Sequence, residues 1–248
     1  MKVTVITVSY NSVQTIEDTM SSVLSQTHPD MEYIVVDGGS NDGTVDLIRA
    51  REGGISRWVS EKDEGIYFAM NKGIERASGD IVGILNSDDI YSDSRVIENV
   101  VSLFELSNAD IVYANLDYVE RFNLKKVVRR WRAGKFRKGS FLMGWMPPHP
   151  TFFIRLEHYK KWGVYKTELR SSADYELMLR MMHKHHLKVA YLDQCIIKMR
   201  QGGQSNFSLR NRIKANREDR IAWDINGLKP YVFTTILKPL RKIFQFVR

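Results

Sequence analysis

Across residues 3 to 107 short apolar runs alternate with stretches of helical periodicity, and this alternation restricts the fold more than any other feature. VTVIT (3–7), YIVV (33–36) and IVGIL (81–85) lack a polar face, and RWV (57–59) is a briefer run of the same kind. Between them, Val13, Ile16, Met20, Val23 and Leu24 share one helical face. Further helices are predicted over Thr44–Arg51, over Tyr67–Ala77 (closed by Gly79) and over Asp93–Leu106. Strands that are apolar on both sides need cover on both sides, and intervening helices supply it while making neighbouring strands parallel. The expected fold is therefore α/β: a mainly parallel, Rossmann-like central sheet flanked by helices.

After residue 108 the pattern becomes less regular. Strands are predicted at Asp110–Tyr113, on to Val119, at Val127–Trp131, at Thr151–Ile154 and at Val189–Leu192. The Pro-rich loop MGWMPPHP (143–150) precedes the third of these regions, and a helix is expected from Ser172 to about His183. His183, His185 and His186 read as the solvated end of that helix, since no Cys or carboxylate pattern accompanies them. At 248 residues the chain fits one large body, 1–207, with halves meeting at 107/108, and an appended helical segment, 208–248.

Charge is concentrated in that segment. The formal net charge is +8, of which residues 208–248 carry +7 and residues 1–207 only +1. A surface coated uniformly for nucleic acid is thus disfavoured, although the block Arg121–Lys138 holds nine Lys/Arg and no acid. In the tail, Phe233, Ile236, Leu237, Leu240, Ile243, Phe244 and Val247 follow helical spacing opposite Lys238, Arg241, Lys242 and Arg248. That basic amphipathic pattern suits an anionic membrane surface, and equally a helix packed on the body; its final helix is expected to start at Pro239. A single cysteine, Cys195, excludes an internal disulfide and suits a reducing cytoplasm. Residues 3–8 are too short for a signal h-region, and no apolar run reaches the roughly 20 residues that span a bilayer.

Several phosphate-binding devices are missing. No Gly-x-Gly-x-x-Gly follows the first strand, there is no P-loop, and the Gly-rich start of sugar-phosphate nucleotidyltransferases is lacking. Instead, three predicted strand ends carry polar side chains: Asn11, Asp37 in DGGSNDG, and the pair Asp88-Asp89 in ILNSDD. Ligands of open α/β sheets bind outside the carboxyl ends of the strands, so these groups should share one rim. Each also has a plainer reading, because Asn, Ser and Asp are turn residues.

VITVSYN, VVDGGSNDGT, MNKGIERASGDIVGILNSDD, PPHPTFF, SSADYELMLR and MRQGGQSN occur in this order along residues 1–207. Together they resemble glycosyltransferase family 2, the inverting nucleotide-sugar transferases of GT-A fold. The likeness is greatest to bacterial enzymes that build O-antigen, capsule and exopolysaccharide. The resemblance implies that Asn11 and Asp37 contact the base and ribose and that Asp63 adds a nucleoside contact. Asp88 and Asp89 stand at the family's D-x-D position as Ser-Asp-Asp, which implies Asp89 as ligand to Mn²⁺ or Mg²⁺ and Asp88 as a ribose or outer contact. Asp174 matches the catalytic base, and the Arg200–Gln204 loop a segment closing near the diphosphate. The implied activity is transfer of a hexose or N-acetylhexosamine from a UDP-sugar to a saccharide acceptor on a polyprenyl diphosphate. The implied setting is cytoplasmic, peripheral on the inner face of the cytoplasmic membrane, with no nucleic-acid partner.

The chemistry of these residue types agrees. A departing nucleoside diphosphate develops negative charge that a hard cation neutralises, and such a cation also relieves two adjacent carboxylates. An aspartate can take the proton of the attacking hydroxyl. Asp174, behind Ser171-Ser172, is equally placed to favour a helix N-terminus. His149 offers either a contact to the acceptor or a buried loop histidine. Trp145 offers an acceptor-stacking ring or loop packing. Nucleotidyl transfer and nucleic-acid binding through the basic segments stay open as alternatives.

Overall fold

A computed structural model of the chain describes residues 1–202 and 209–241. Strands β1 (Val3–Ser9), β2 (Met31–Asp37), β3 (Arg57–Ser60) and β4 (Ile81–Asn86) alternate with helices α1 (Ile16–Leu24), α2 (Thr44–Ala50) and α3 (Ile66–Arg76). They pair in parallel, β2 to β1, β4 to β1 and β3 to β2. There follow β5 (Asp89–Tyr91), α4 (Val96–Ser107), β6 (Ile111–Val119), β7 (Val127–Trp131), β8 (Phe153–Arg155), α5 (Leu156–Trp162), α6 (Ala173–Met178), β9 (Val189–Arg200), α7 (Leu209–Ile225) and α8 (Thr234–Arg241). The described strands form one 9-stranded sheet in the order β3-β2-β1-β4-β8-β6-β9-β5, with β7 on β6.

The parallel character of the first half gives way to a mixed sheet. β8 is antiparallel to both β4 and β6, and β5 to β9, while β9 runs parallel to β6. The period of two along β1 explains the two-sided cover: Val3 and Val5 face one layer, Ile6 and Val8 the other. The first layer takes Ile16, Met20 and Val23 of α1, Ile48 of α2 and Val96 to Phe104 of α4. The second takes Ala69, Met70 and Ile74 of α3, Tyr175 and Met178 of α6, and Trp223 of α7.

Five expectations need correction. Asp110–Tyr113 and the run to Val119 form one strand, β6, and the strand predicted at Val189–Leu192 continues to Arg200 because β6 pairs along its whole length. The helix from Ser172 widens after Met178, passing into a π-helical turn over Leu179–Lys184. Of the three histidines at its end, His186 is exposed as expected, but two are not simply solvated: His183, within that turn, lies edge-on to Trp223 at 5.3 Å, and His185 stacks on Trp162 at 3.6 Å between ring centres. The last helix starts at Thr234, with Pro239 inside it. Its anchors outweigh the lost backbone bond: Thr234 Oγ1 donates to the Leu142 carbonyl and Lys238 Nζ to both oxygens of Asp219. The expected membrane-facing residues from Lys242 onward lie outside the described residues.

Candidate active site

Register brings the rim together. Ser9 pairs with Asp37, Asp37 with Ser60, and Val8 with Asn86, so β1, β2, β3 and β4 end at one level. Asp37 is fully buried there. Its carboxylate accepts from Ser9 Oγ (2.9 Å), Gly39 N–H (3.1 Å), Ser40 N–H (2.8 Å), Ser40 Oγ (2.5 Å) and Ser60 Oγ (2.7 Å). Burial by itself would push this carboxyl up, but the bonds from Ser40, Ser60 and Ser9 outweigh it and hold the group below its usual range. Asp37, expected to contact base and ribose, thus spends its carboxylate on fastening the DGGSN loop from beneath. Asn11, exposed and in the left-handed region at φ 48°, receives the Asn41 N–H on its Oδ1 at 3.1 Å and gives its own N–H to Ser40 Oγ at 2.8 Å. Asp63 faces the same loop. A Cβ on Gly38 would stand 2.9 Å from Asp63 Oδ2, so a larger residue there would have to push the Asp63 carboxylate aside.

The stretch ILNSDD ends β4, turns at Ser87-Asp88, and enters β5 at Asp89. The three-residue strand β5 was not evident from the sequence; its pairing with Met199 to Ile197 of β9 creates it. The turn is tied to the first strand's loop, with Ser87 Oγ 2.7 Å from Ser12 Oγ and Ser87 N–H donating to the Val8 carbonyl. Asp88 is half-buried and Asp89 fully buried. Burial raises the carboxyl of Asp88, against the opposing pull of nearby Arg200 and Arg121. Asp89 is driven well above the usual range by burial and then by the charge of Asp88. Its Oδ2 receives a long bond, 3.4 Å, from Asn86 Nδ2, and the Arg200 backbone N–H also favours the charged form. Among the described residues Asp89 Oδ1 and Asn86 Oδ1 are both buried without a hydrogen-bond partner. Two orphaned acceptor oxygens, one anionic, beside a second carboxylate form a donor set that fits a hard divalent cation. Among the described residues no cluster of three or more His, Cys, Asp or Glu stands ready to hold a metal. One or two carboxylates completed by phosphate oxygens is the usual arrangement for Mg²⁺.

Asp174 lies in the first turn of α6 and looks across at the α3 side of the rim. Tyr67 Oη donates to its Oδ1 at 3.2 Å, and His149 Nδ1 stands 3.3 Å from its Oδ2. Burial and then the Asp174 charge push the Tyr67 phenol far up, so it remains a donor. His149, at the start of a 3-10 turn His149–Thr151, therefore touches Asp174 and lies within electrostatic range of Asp88. Sequence reasoning missed Tyr67 altogether. Its spacing placed it only as a helix residue, and its partner is 107 residues away.

Two expected site residues turn inward. Arg200 is the last residue of β9, not part of a loop, and is 4% exposed. Its Nε donates to the Arg121 carbonyl and its Nη1 to the Asp88 carbonyl, each at 3.0 Å, and its Nη2 pairs with Asp18. It braces the Asp88 turn through the backbone. Gln204, further along the expected segment, lies outside the described residues. Trp145 is 8% exposed, its indole N–H donating to the Ala133 carbonyl at 2.8 Å and its ring meeting Phe141 and Tyr113 edge-on. It follows the loop-packing reading, because a ring enclosed on these sides offers little face to a sugar.

The family model for "Glycosyl transferase family 2" matches residues 4–162. The chain belongs to glycosyltransferase family 2. It is 34% identical over 181 residues to an uncharacterized glycosyltransferase of Mycobacterium tuberculosis, covering 72% of this chain and 68% of the relative. Over 110 residues it is 41% identical to the putative teichuronic acid biosynthesis glycosyltransferase TuaG of Bacillus subtilis, covering 43% and 44%. Staphylococcus aureus TarS in complex with UDP-GlcNAc superposes with a TM-score of 0.72 at 17% identity, over 96% of this chain and 69% of TarS. The mannosyltransferase PcManGT of Pyrobaculum calidifontis, in complex with GDP-Man and Mn²⁺, gives 0.65 at 20%, over 95% and 68%. This family-2 chain has the GT-A fold, its central curled sheet flanked by helices.

Proposed function

We propose that this family-2 glycosyltransferase moves a hexose or N-acetylhexosamine from a UDP-sugar to a saccharide acceptor, with inversion, in the synthesis of a bacterial surface polysaccharide. The acceptor is read as a polyprenyl-diphosphate-linked saccharide, met at the inner face of the cytoplasmic membrane. The UDP-GlcNAc of TarS and the teichuronic acid assignment of TuaG support this class of donor and product. The observation that carries the reading is the meeting of two carboxylate sites on one rim. Asp174 and the Asp88-Asp89 turn flank His149, whose Nδ1 stands 3.3 Å from Asp174 Oδ2 and which lies within electrostatic range of Asp88.

Within this reading Asp89, with Asn86 Oδ1 beside it, holds a divalent cation, Mn²⁺ or Mg²⁺, and Asp88 contacts ribose or the ion's waters. When bound, the cation neutralises charge on the leaving diphosphate. Asn11 and Asp63 take the nucleoside from the loop that Asp37 fastens. Asp174 accepts the proton of the acceptor hydroxyl as its oxygen bonds to the anomeric carbon and the bond from that carbon to the diphosphate oxygen breaks. A single displacement turns an α-linked donor into a β-linked product. The test is a panel of nucleotide sugars with and without Mn²⁺, scored for transfer and for product anomer. Asp174→Asn is expected to retain nucleotide binding and to lose at least about a hundredfold in kcat. Full turnover by that variant, or retention at the anomeric carbon, would refute the assignment.

A further inference from the structure

The turn between α7 and α8 carries Tyr231, Val232 and Phe233 in succession, and they are 52%, 79% and 44% exposed. The same region buries Trp223 completely, so the chain has apolar packing available nearby and leaves these three side chains out of it. The backbone beneath them is fixed. Tyr231 N–H donates to Thr234 Oγ1 at 3.0 Å, Thr234 N–H returns to the Tyr231 carbonyl at 3.1 Å, and Leu237 N–H closes on the Phe233 carbonyl at 2.9 Å. Thr234 Oγ1 fastens the turn to the body through the Leu142 carbonyl at 2.6 Å. The rings of Tyr231 and Phe233 lie 5.2 Å apart. The result is a rigidly mounted apolar tip.

Charge around the tip favours one kind of partner. From Arg217 to Phe233 the exposed charged residues are Arg217, Arg220, Asp224 and Lys229, whereas the acids Glu218 and Asp219 are buried. Glu218 accepts the Ser171 N–H, and Asp219 is neutralised by Lys238. The exposed charges of the stretch leading to the tip are therefore net basic, in a segment whose overall net charge is +7. An anionic bilayer accepts both features at once, apolar side chains at the headgroup boundary and cations among the phosphates. Tyrosine is well suited to that boundary, with an apolar ring and a polar tip.

We infer that the Tyr231–Phe233 turn docks the enzyme on an anionic phospholipid bilayer. This deepens the membrane placement given under the proposed function and does not depend on which residue acts as base. The helices that carry the tip also brace the Asp174 segment: Trp223 Nε1 donates to Tyr175 Oη at 3.0 Å, and Lys238 Nζ lies 3.9 Å above the Tyr175 ring. Docking through the tip therefore ties the catalytic rim to the lipid surface on which the proposed acceptor is carried.

The full chain is sedimented with vesicles of phosphatidylglycerol and phosphatidylcholine, or of phosphatidylcholine alone. Wild type is expected to co-sediment with the anionic vesicles, and Val232→Glu to partition at least about tenfold more weakly. Val232→Ser, which removes apolar area without adding charge, is expected to fall between them. Equal sedimentation of wild type and both variants would overturn the tip and leave the membrane placement standing. No sedimentation of wild type would overturn both. Equal binding to neutral vesicles would overturn the anionic partner. A dimer in size-exclusion chromatography that Val232→Glu dissociates, with vesicle binding unchanged, would assign the tip to a second copy of this chain instead.

Discussion

Replacing Asp89 by Asn should make the metal-free protein more stable while removing its response to metal. Asp89 is fully buried, its carboxyl is pushed up by burial and by Asp88, and its Oδ1 has no partner among the described residues. An amide of the same shape cancels the like-charge contact and brings two hydrogens next to Asn86 Oδ1, which also lacks a partner. Relieving an unsatisfied buried group is worth about 1–3 kcal/mol. For a chain of this size each kcal/mol moves Tm by roughly 2–4 °C, so a rise of about 2–12 °C is expected. Wild type, by contrast, should gain about 2.7 kcal/mol from Mn²⁺ with UDP at a hundred times Kd. The assay is thermal unfolding of both proteins with and without Mn²⁺ and UDP, alongside transfer activity. A metal-free variant less stable than wild type, or one that keeps the full Mn²⁺ shift, would refute the reasoning.

Two further outcomes follow from contacts elsewhere. Tyr67→Phe keeps the ring that stacks on Tyr165 at 5.6 Å and removes only the hydroxyl held by Asp174. It should lower kcat about tenfold and leave donor KM unchanged, since a hydrogen bond to a charged group is lost only at the base; a matching rise in KM would contradict this role. Glu32 receives Thr4 Oγ1, Ser78 N–H and Ser78 Oγ, each at 2.7 Å. Burial alone would raise its carboxyl, but these bonds and Lys2 outweigh burial and hold it below 4.5. A depressed folded-state value gives stability that is complete above the unfolded value and is lost as pH falls through the folded one. Glu32→Gln should therefore lower stability at neutral pH and flatten its decline below about pH 5, read as urea midpoints against pH. Parallel curves for the two proteins would exclude it.

Much of the rim was legible because local pattern and strand direction suffice to place it. Apolar runs marked β1, β2 and β4, and parallel order put Asn11, Asp37 and Asp88-Asp89 at one end. The far end of β9 was not legible, since LDQCIIKMR mixes polar and apolar residues and becomes a strand only by pairing with β6 and β5. Helix α7 falls in the segment expected to be helical, but its bounds were not legible: it buries Ala222 and Trp223 while exposing Ile221 and Ile225, which weakens any one-face pattern. The inward turn of Trp145 depended on Phe141 and Tyr113 arriving around it.

By itself, then, the sequence determined the α/β alternation, the family and the residues at the strand ends. These rest on short-range periodicity and on motifs that are contiguous in the chain. Tertiary structure alone decided how those residues are used. Arg200 braces the Asp88 turn while pairing with Asp18, 182 residues away, and Tyr67 reaches Asp174 across 107. Such pairs depend on how a mixed sheet closes and on which elements shield a carboxylate from water. Residue spacing does not encode that geometry, and it is what leaves Asp89 strained by burial and Asp174 held between a phenol and an imidazole.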